Sequence, residues 1–156
     1  MPTYAAIQEA AQRIRDGVIE TPCTRTRAFR DLAPGNHYLK LENLQRTGSF
    51  KDRGALNRML RLTEAERARG VVTASAGNHA QGVAFMCRHF GVKGMVFMPV
   101  TTPQQKIMKT KSFGGEFVTV ELTGDYFDDT LSAAKAHCAE VGGHFLSPFD
   151  DEDVIE

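Results

Sequence analysis

The spacing of hydrophobic residues changes character near position 70. Before it, the pattern is mixed. In residues 4–16, Ala5, Ile7, Ala10, Ala11 and Ile14 share a helical face, and Gln8, Glu9, Arg13 and Arg15 fall outward. An amphipathic helix is predicted there, ending before Thr21 and Pro22. A short helical turn is expected over 27–33, closed by Pro34 and Gly35. Residues 37–42 alternate and read as a strand. Asn43 to Ser49 then form a loop that leads into a helix over 51–61. Thr63 followed by Glu66 is a capping-box pattern that starts another short helix.

After Gly70 the pattern is regular. Apolar β runs at 71–74, 94–98, 116–120 and 144–146 alternate with helical patterns. Those helices are expected over 78–90, from Pro103 to about 113, and over 125–141. Pro103 suits the first position of its helix, and Gly114-Gly115 and Gly142-Gly143 read as stops. Short strands separated by longer helices mean βαβ units. The predicted fold class is therefore α/β, an open parallel sheet with flanking helices. The N-terminal helix and the strand at 37–42 lie outside this run, with no obvious sheet to join. Residues 150–156 read as a loop and the beginning of an acidic helix. Together these features suggest a fragment, or a subunit completed by another chain.

Composition narrows the function. The chain has 156 residues, 42% of them hydrophobic, enough for a real core. Lys plus Arg and Asp plus Glu are 19 each, so the formal net charge is zero. That balance argues against a nucleic-acid or anionic-membrane surface and favours a small-molecule partner. Cys23, Cys87 and Cys138 are odd in number and widely spaced, which does not suggest a disulfide framework. No secretory apolar region is visible, and no apolar run reaches the roughly 18 residues of a membrane span. A cytoplasmic location is expected.

Two stretches carry candidate chemistry. Thr47-Gly48-Ser49-Phe50-Lys51 places a lysine at a loop-to-helix junction. The partial positive charge of a helix N-terminus and any burial both favour an uncharged amine there, the form that nucleophilic chemistry requires. Alone, Lys51 reads more simply as a solvated lysine of the first turn. The second stretch, Ser75-Ala76-Gly77-Asn78-His79, follows a β run and opens a helix. Ligands of open α/β sheets bind outside the carboxyl ends of the strands, and helix N-termini bind carboxylates. Gly77 permits close approach, and Ser75 and Asn78 can add hydrogen bonds. The alternative, that Ser75 or Asn78 only caps the helix, stays open. His79, Cys87 and His89 match no zinc spacing, so no metal site is expected. There is no Gly-x-Ser-x-Gly elbow to make Ser75 and His79 a nucleophilic pair. Lys106, Lys109 and Lys111 read as a solvated helix face, and His144 as an ordinary surface or helix-end residue.

Taken together, the run from Glu42 through Lys51 to Arg53-Gly54-Ala55 resembles the cofactor-lysine motif of fold-type II pyridoxal-phosphate enzymes. The run from Gly70 through Ser75-Ala76-Gly77-Asn78-His79 to Ala84 resembles their asparagine loop. Met98 to Pro103 and Ser147 to Asp151 are similar as well, so the resemblance covers nearly all of the chain from Thr21 onward. The group it looks most like contains the threonine dehydratases (threonine ammonia-lyases) and serine racemases.

The resemblance implies pyridoxal 5'-phosphate as cofactor, Lys51 as its Schiff-base lysine and later the base at the substrate Cα, and Phe50 beside the cofactor ring. Asn78 would bond the ring oxygen. Ser75, Gly77, Asn78 and His79 would hold the carboxylate of a small amino-acid substrate. The implied reaction is β-elimination of L-threonine or L-serine to a 2-oxo acid and ammonia, within amino-acid metabolism such as isoleucine biosynthesis. Serine racemases carry a serine where this chain has Ala76, which favours elimination. Asp52 replaces the more usual apolar residue and is closer to threonine synthases, which leaves the substrate open. Serine racemase and hydroxyaspartate ammonia-lyase are the alternatives. By the same resemblance, 1–51 is an N-terminal arm of a large domain, 52–148 the small α/β domain, and 149–156 the start of the return to the large domain. The glycine-rich phosphate loop of such enzymes lies downstream. A missing large domain or a homo-oligomer partner would complete the site, and a non-catalytic module that needs a large-domain partner is the alternative of another class.

Overall fold

The computed structural model describes residues 2–156. Helix α1 (Tyr4–Ile14) is capped by Thr3, whose hydroxyl accepts the Ala6 N–H at 3.2 Å. It ends two residues short of the expected point. Of its apolar positions only Ala10 and Ile14 are buried, while Ala5, Ile7 and Ala11 stay exposed. Arg13, expected outward, turns inward, and its guanidinium donates to Asn57 at 2.5 Å.

The strand expected at 37–42 does have a partner. Strands β1 (Cys23–Thr26) and β2 (His37–Lys40) form an antiparallel ribbon, with Cys23 opposite Lys40 and Thr26 opposite His37. Strand β2 ends early because Glu42–Leu44 tightens into a 3-10 turn. Residues 27–33 form turns rather than a helix. The ribbon is tied to the next helix by polar contacts. Glu42 accepts two bonds from Arg53, at 2.7 and 2.8 Å, and one from the Thr21 hydroxyl at 2.6 Å. The Arg53 guanidinium foremost holds the Glu42 carboxyl down at about 2.

The layered part follows. Helices α2 (Lys51–Arg61) and α3 (Glu64–Ala68) precede strand β3 (Val71–Ala74), and α4 (Asn78–Phe90) leads to β4 (Gly94–Met98). Helix α5 (Gln104–Gly114), β5 (Val118–Leu122), α6 (Phe127–Val141), β6 (His144–Phe145) and α7 (Glu152–Ile155) complete the chain. The capping box at Thr63 and Glu66 is present. Pro103 occupies the cap position rather than the first helical one. Strand β5 starts two residues late because Gly115, at φ +56°, turns Gly115–Phe117 into a 3-10 helix first.

The sheet order is β5-β4-β3-β6, with every pair parallel. Val71, Val96 and Met98 point to one face, packed with α2, α4 and α5 through Leu56, Met59, Val83 and Ile107. Val72, Ala74 and Phe97 point to the other, against Ala134 and Cys138 of α6. Burial on both faces explains why these strands read as unbroken apolar runs. Cys87 is fully buried, and desolvation pushes its thiol up to about 12. The chain steps from β3 to β4 to β5, then returns under α6 to the far side of β3. The order therefore reverses between β3 and β6, and their carboxyl ends flank the crevice where such sheets bind ligands.

Helix α2 sits between this layer and the end of the chain. A Cβ on Gly54 would stand 2.4 Å from the Val154 carbonyl oxygen, so α7 rests directly on the α2 backbone. Arg58 and Arg61 hold Asp153 at 2.9 and 2.7 Å. Arg58 Nε lies 3.1 Å from Asp151, close enough for an ion pair but without hydrogen-bond alignment. Gly54→Ala is expected to displace α7 and lower unfolding free energy by about 1–3 kcal/mol, as overpacking does. A urea midpoint identical to that of the parent chain would contradict this packing.

Candidate functional site

Lys51 opens α2 and is half-buried. The Ser49 hydroxyl accepts its main-chain N–H at 3.2 Å, after a turn in which Gly48 adopts φ +81°. Its amine donates to the Pro148 carbonyl at 3.0 Å and lies 5.4 Å from the centre of the exposed Phe50 ring. The amine borders a groove of about 340 Å³ lined by Phe50, Gly54, Pro148, Val154 and Ile155. The lysine is therefore neither a freely solvated surface residue nor locked in an ion pair.

The loop after β3 lies at the β3/β6 crevice. The capping reading of Ser75 and Asn78 does not hold. Gly77 occupies the cap position, and no side chain caps α4. The Ser75 hydroxyl instead accepts the Gly77 N–H at 3.3 Å. The first intrahelical bond is Gln81 N–H to the Gly77 carbonyl at 3.3 Å. The main-chain N–H groups of Asn78, His79 and Ala80 thus precede any helical acceptor and point out of the helix end. Asn78 is exposed, and a Cβ placed on Gly77 would meet nothing within 4 Å. An uncapped N-terminus with open space before it and a carboxamide beside it can hold a carboxylate.

The His79 side chain turns away from the helix end. Its imidazole is 2% exposed and turned into the core, where Nε2–H donates to the Leu146 carbonyl at 3.2 Å. Only its main-chain N–H remains available at the helix end. Burial foremost, assisted by the Lys51 charge and opposed by the Leu146 bond, holds the imidazole down at about 4. It is neutral near pH 7, with Nδ1 left as a buried acceptor without a partner. The same Leu146 carbonyl accepts the Thr73 hydroxyl at 2.7 Å, and Leu146 N–H donates to Val72 at 2.8 Å. Two residues on, Pro148 receives Lys51.

Lys51 and His79 thus bond neighbouring points of one backbone segment, Pro148 and Leu146, while the Ser75–Asn78 loop follows the carboxyl end of β3. Gly82 lets α2 and α4 approach. One turn into α4, a Cβ there would meet the Lys51 carbonyl at 3.2 Å. The contributions of Leu146 and Pro148 could not be read from sequence, because both act through backbone oxygens. Lys106, Lys109 and Lys111 are exposed on α5, as expected. His144 is half-buried on β6, within 2.8 Å of an Arg69 nitrogen. Gly115 and Gly142 are positive-φ helix ends.

A family model described as pyridoxal-phosphate dependent enzyme matches residues 14–156. The chain is 47% identical over 149 residues to the biosynthetic L-threonine dehydratase IlvA of Bacillus subtilis, covering 96% of this chain and 35% of that protein. Its fold superposes with a TM-score of 0.84 on the processed form of threonine deaminase isoform 2 from Solanum lycopersicum, at 37% identity, over 99% of this chain and 46% of that one. The serine racemase of Dictyostelium discoideum gives 0.84 at 35% identity, over 96% and 48%. The chain thus spans about a third to a half of the relatives it matches. Among the described residues, no helix is long and apolar enough to cross a membrane.

The buried His79 has a pH consequence. Its folded-state value lies below the unfolded 6.5, so its contribution to stability is complete above about 6.5 and is lost as pH falls through about 4. The loss is on the order of 3 kcal/mol. His79→Gln, which keeps a donor for Leu146, is expected to flatten that part of the curve. Urea midpoints between pH 7 and pH 4 check it, and parallel curves for the two proteins would contradict the assignment.

Proposed function

The chain belongs to the pyridoxal-phosphate-dependent enzyme family, and on that premise we propose that its protein catalyses β-elimination of L-threonine or L-serine to a 2-oxo acid and ammonia. The reading is supported by the half-buried Lys51 amine, bonded to Pro148 just beyond β6, and by the uncapped α4 N-terminus just beyond the neighbouring strand β3. The residues present fit the cofactor's aldehyde end. The single carbonyl contact of Lys51 is replaceable, Asn78 is free to bond a ring oxygen, and the space before Gly77 is open. When bound, pyridoxal phosphate supplies an aldehyde for an amine and a conjugated ring that takes up the electron pair released at Cα. Lys51 would carry the cofactor. Once displaced by the substrate's amino group, its amine would take the Cα proton.

The rest of the chemistry falls to fixed groups. The N–H groups at the start of α4, with Ser75 and Asn78, would hold the substrate carboxylate by hydrogen bonds and the helix dipole. Fixing the carboxylate orients the Cα–H bond toward Lys51. The β-hydroxyl would then leave with a proton as water, and a water molecule would hydrolyse the resulting enamine, through its imine, to ammonia and the 2-oxo acid. Ala76 ends in a methyl group, which cannot exchange a proton from the opposite face, and this favours elimination over racemisation.

The domain reading belongs to the same proposal. Residues 52–148 form the small α/β domain, and 1–51 and 149–156 connect to a large domain, supplied by further chain or by a partner, that holds the cofactor phosphate. The separate β1-β2 ribbon supports this division. All three cysteines are free, which suits a cytoplasmic location.

Incubating the chain with pyridoxal phosphate, reducing with borohydride and mapping the adduct is expected to find it at Lys51 and to lose it in Lys51→Ala. Adducts spread evenly over the surface lysines would sink the assignment. In the complete protein, L-threonine should yield equimolar ammonia and 2-oxobutanoate. Ala76→Ser is expected to add measurable racemisation of L-serine, read by chiral chromatography. No D-serine above the parent level would mean that position 76 does not set the outcome.

A further inference from the structure

Asp52 follows Lys51 directly and looks at first like a marker of substrate. Its surroundings point elsewhere. The two residues occupy successive positions of α2, so their side chains leave the helix about 100° apart. Lys51 reaches forward to Pro148 at the crevice. Asp52 is 1% exposed and reaches back beneath the preceding loop. One carboxylate oxygen accepts the Thr47 N–H at 3.0 Å, and the other accepts the Thr47 hydroxyl.

Both bonds end on a single residue, five positions upstream. The ring they close contains the Gly48 turn at φ +81°, the buried Ser49 that receives the Lys51 N–H, and the exposed Phe50. This differs from an ordinary helix cap. In a capping box the third helical residue reaches back only to the cap residue. Here the second helical residue reaches beyond Phe50 and Ser49, so it holds the loop rather than the helix end. Among the described residues, Asp52 forms no ion pair. Burying a carboxylate with no cation in ion-pair contact is costly, and a neutral amide could not accept on two oxygens. The position therefore requires a carboxylate for geometry that a cheaper side chain would not give.

We propose that Asp52 is a positioning residue for Lys51: its buried carboxylate tethers the loop at Thr47 and thereby sets the direction in which the Lys51 amine leaves α2. It acts on the lysine through the backbone and does not select the substrate. The proposal rests on the assignment of Lys51 made above.

The test compares the parent chain with Asp52→Ala, Asp52→Asn and Thr47→Val, and with the Ala/Val double variant. Hydrogen exchange reads the amides of 47–51. Borohydride trapping of pyridoxal phosphate reads the labelling of Lys51 relative to the exposed Lys106 of the same chain. Trapping of formaldehyde, run in parallel, reads the same ratio without the cofactor. In Asp52→Ala we expect loop exchange to rise, and the Lys51 to Lys106 ratio to fall, by about tenfold, the scale of a lost charge-assisted bond. Residues 55–60 should stay protected. Asp52→Asn should lie between. Thr47→Val, which removes the hydroxyl bond and keeps the main-chain one, should show part of the effect and add little to Asp52→Ala, because it removes a part of the same tether.

An unchanged labelling ratio in Asp52→Ala overturns the proposal. So does exchange that rises equally over 55–60, which would make Asp52 a general stability residue. If the parent Lys51 shows no preference for pyridoxal phosphate, the functional reading fails, and the formaldehyde ratio alone decides for or against Asp52.

Discussion

The close crossing of α2 and α4 at Gly82 is the constraint on which the crevice depends. A side chain there would press against the Lys51 carbonyl at 3.2 Å and touch the Ala55 methyl at 3.6 Å. With only hydrogen at that point, the two backbones approach closely enough for the first residue of α2 to lie one turn from the start of α4. The amine and the free N–H groups are then fixed by two rigid helices rather than by two loops. Leu56, Met59, Val83 and Met86, each at most 2% exposed, stop the helices from sliding. Burying a side chain of that size contributes about 1.5–3 kcal/mol. Core packing and site geometry are here the same set of contacts.

A second fixed point is the backbone after β6. Leu146 receives Thr73 and His79, and Pro148 receives Lys51, so a two-residue strand with pairing on one side is held by three side chains from three elements. The arrangement leaves His79 Nδ1 buried without a partner. An unmet buried acceptor costs about 1–3 kcal/mol. Local rules are most often broken where a structure serves a site rather than its own stability.

Much of the layer was legible in the sequence, for physical reasons. Strands β3 and β4 are covered on both faces, so their residues are apolar throughout and their limits are marked by turn residues. Strand β1 escaped notice because Cys-Thr-Arg-Thr is solvated and carries no alternation. Strand β5 was displaced because one positive-φ glycine inserted a turn. At the site, Lys51 and the Ser75 to Asn78 loop were visible as motifs. His79 was grouped with the carboxylate-holding loop by resemblance, whereas its position in the first turn of α4 decides that the ring faces the core. Asp52 was read as a departure from a pattern, and its role appeared only when Thr47 was found folded back onto it. Gly54 looked like part of a lysine motif, and its cause lies at Val154, far along the chain.

That last contact has a consequence for biosynthesis. Arg58 and Asp153 are joined across a separation of 95 residues. On a ribosome adding about 5–20 residues per second, the second partner arrives some 5–20 s after the first. Once α4 has been added, α2 can lie against it, but its outer face beside Gly54 has no cover, and Arg58 and Arg61 have no Asp153 carboxylate. The nascent protein therefore passes through a stage in which α2 and α4 can pack while the basic outer face of α2 remains open. The segment around Asp153 closes that face later, and the groove beside Lys51 takes its shape only then.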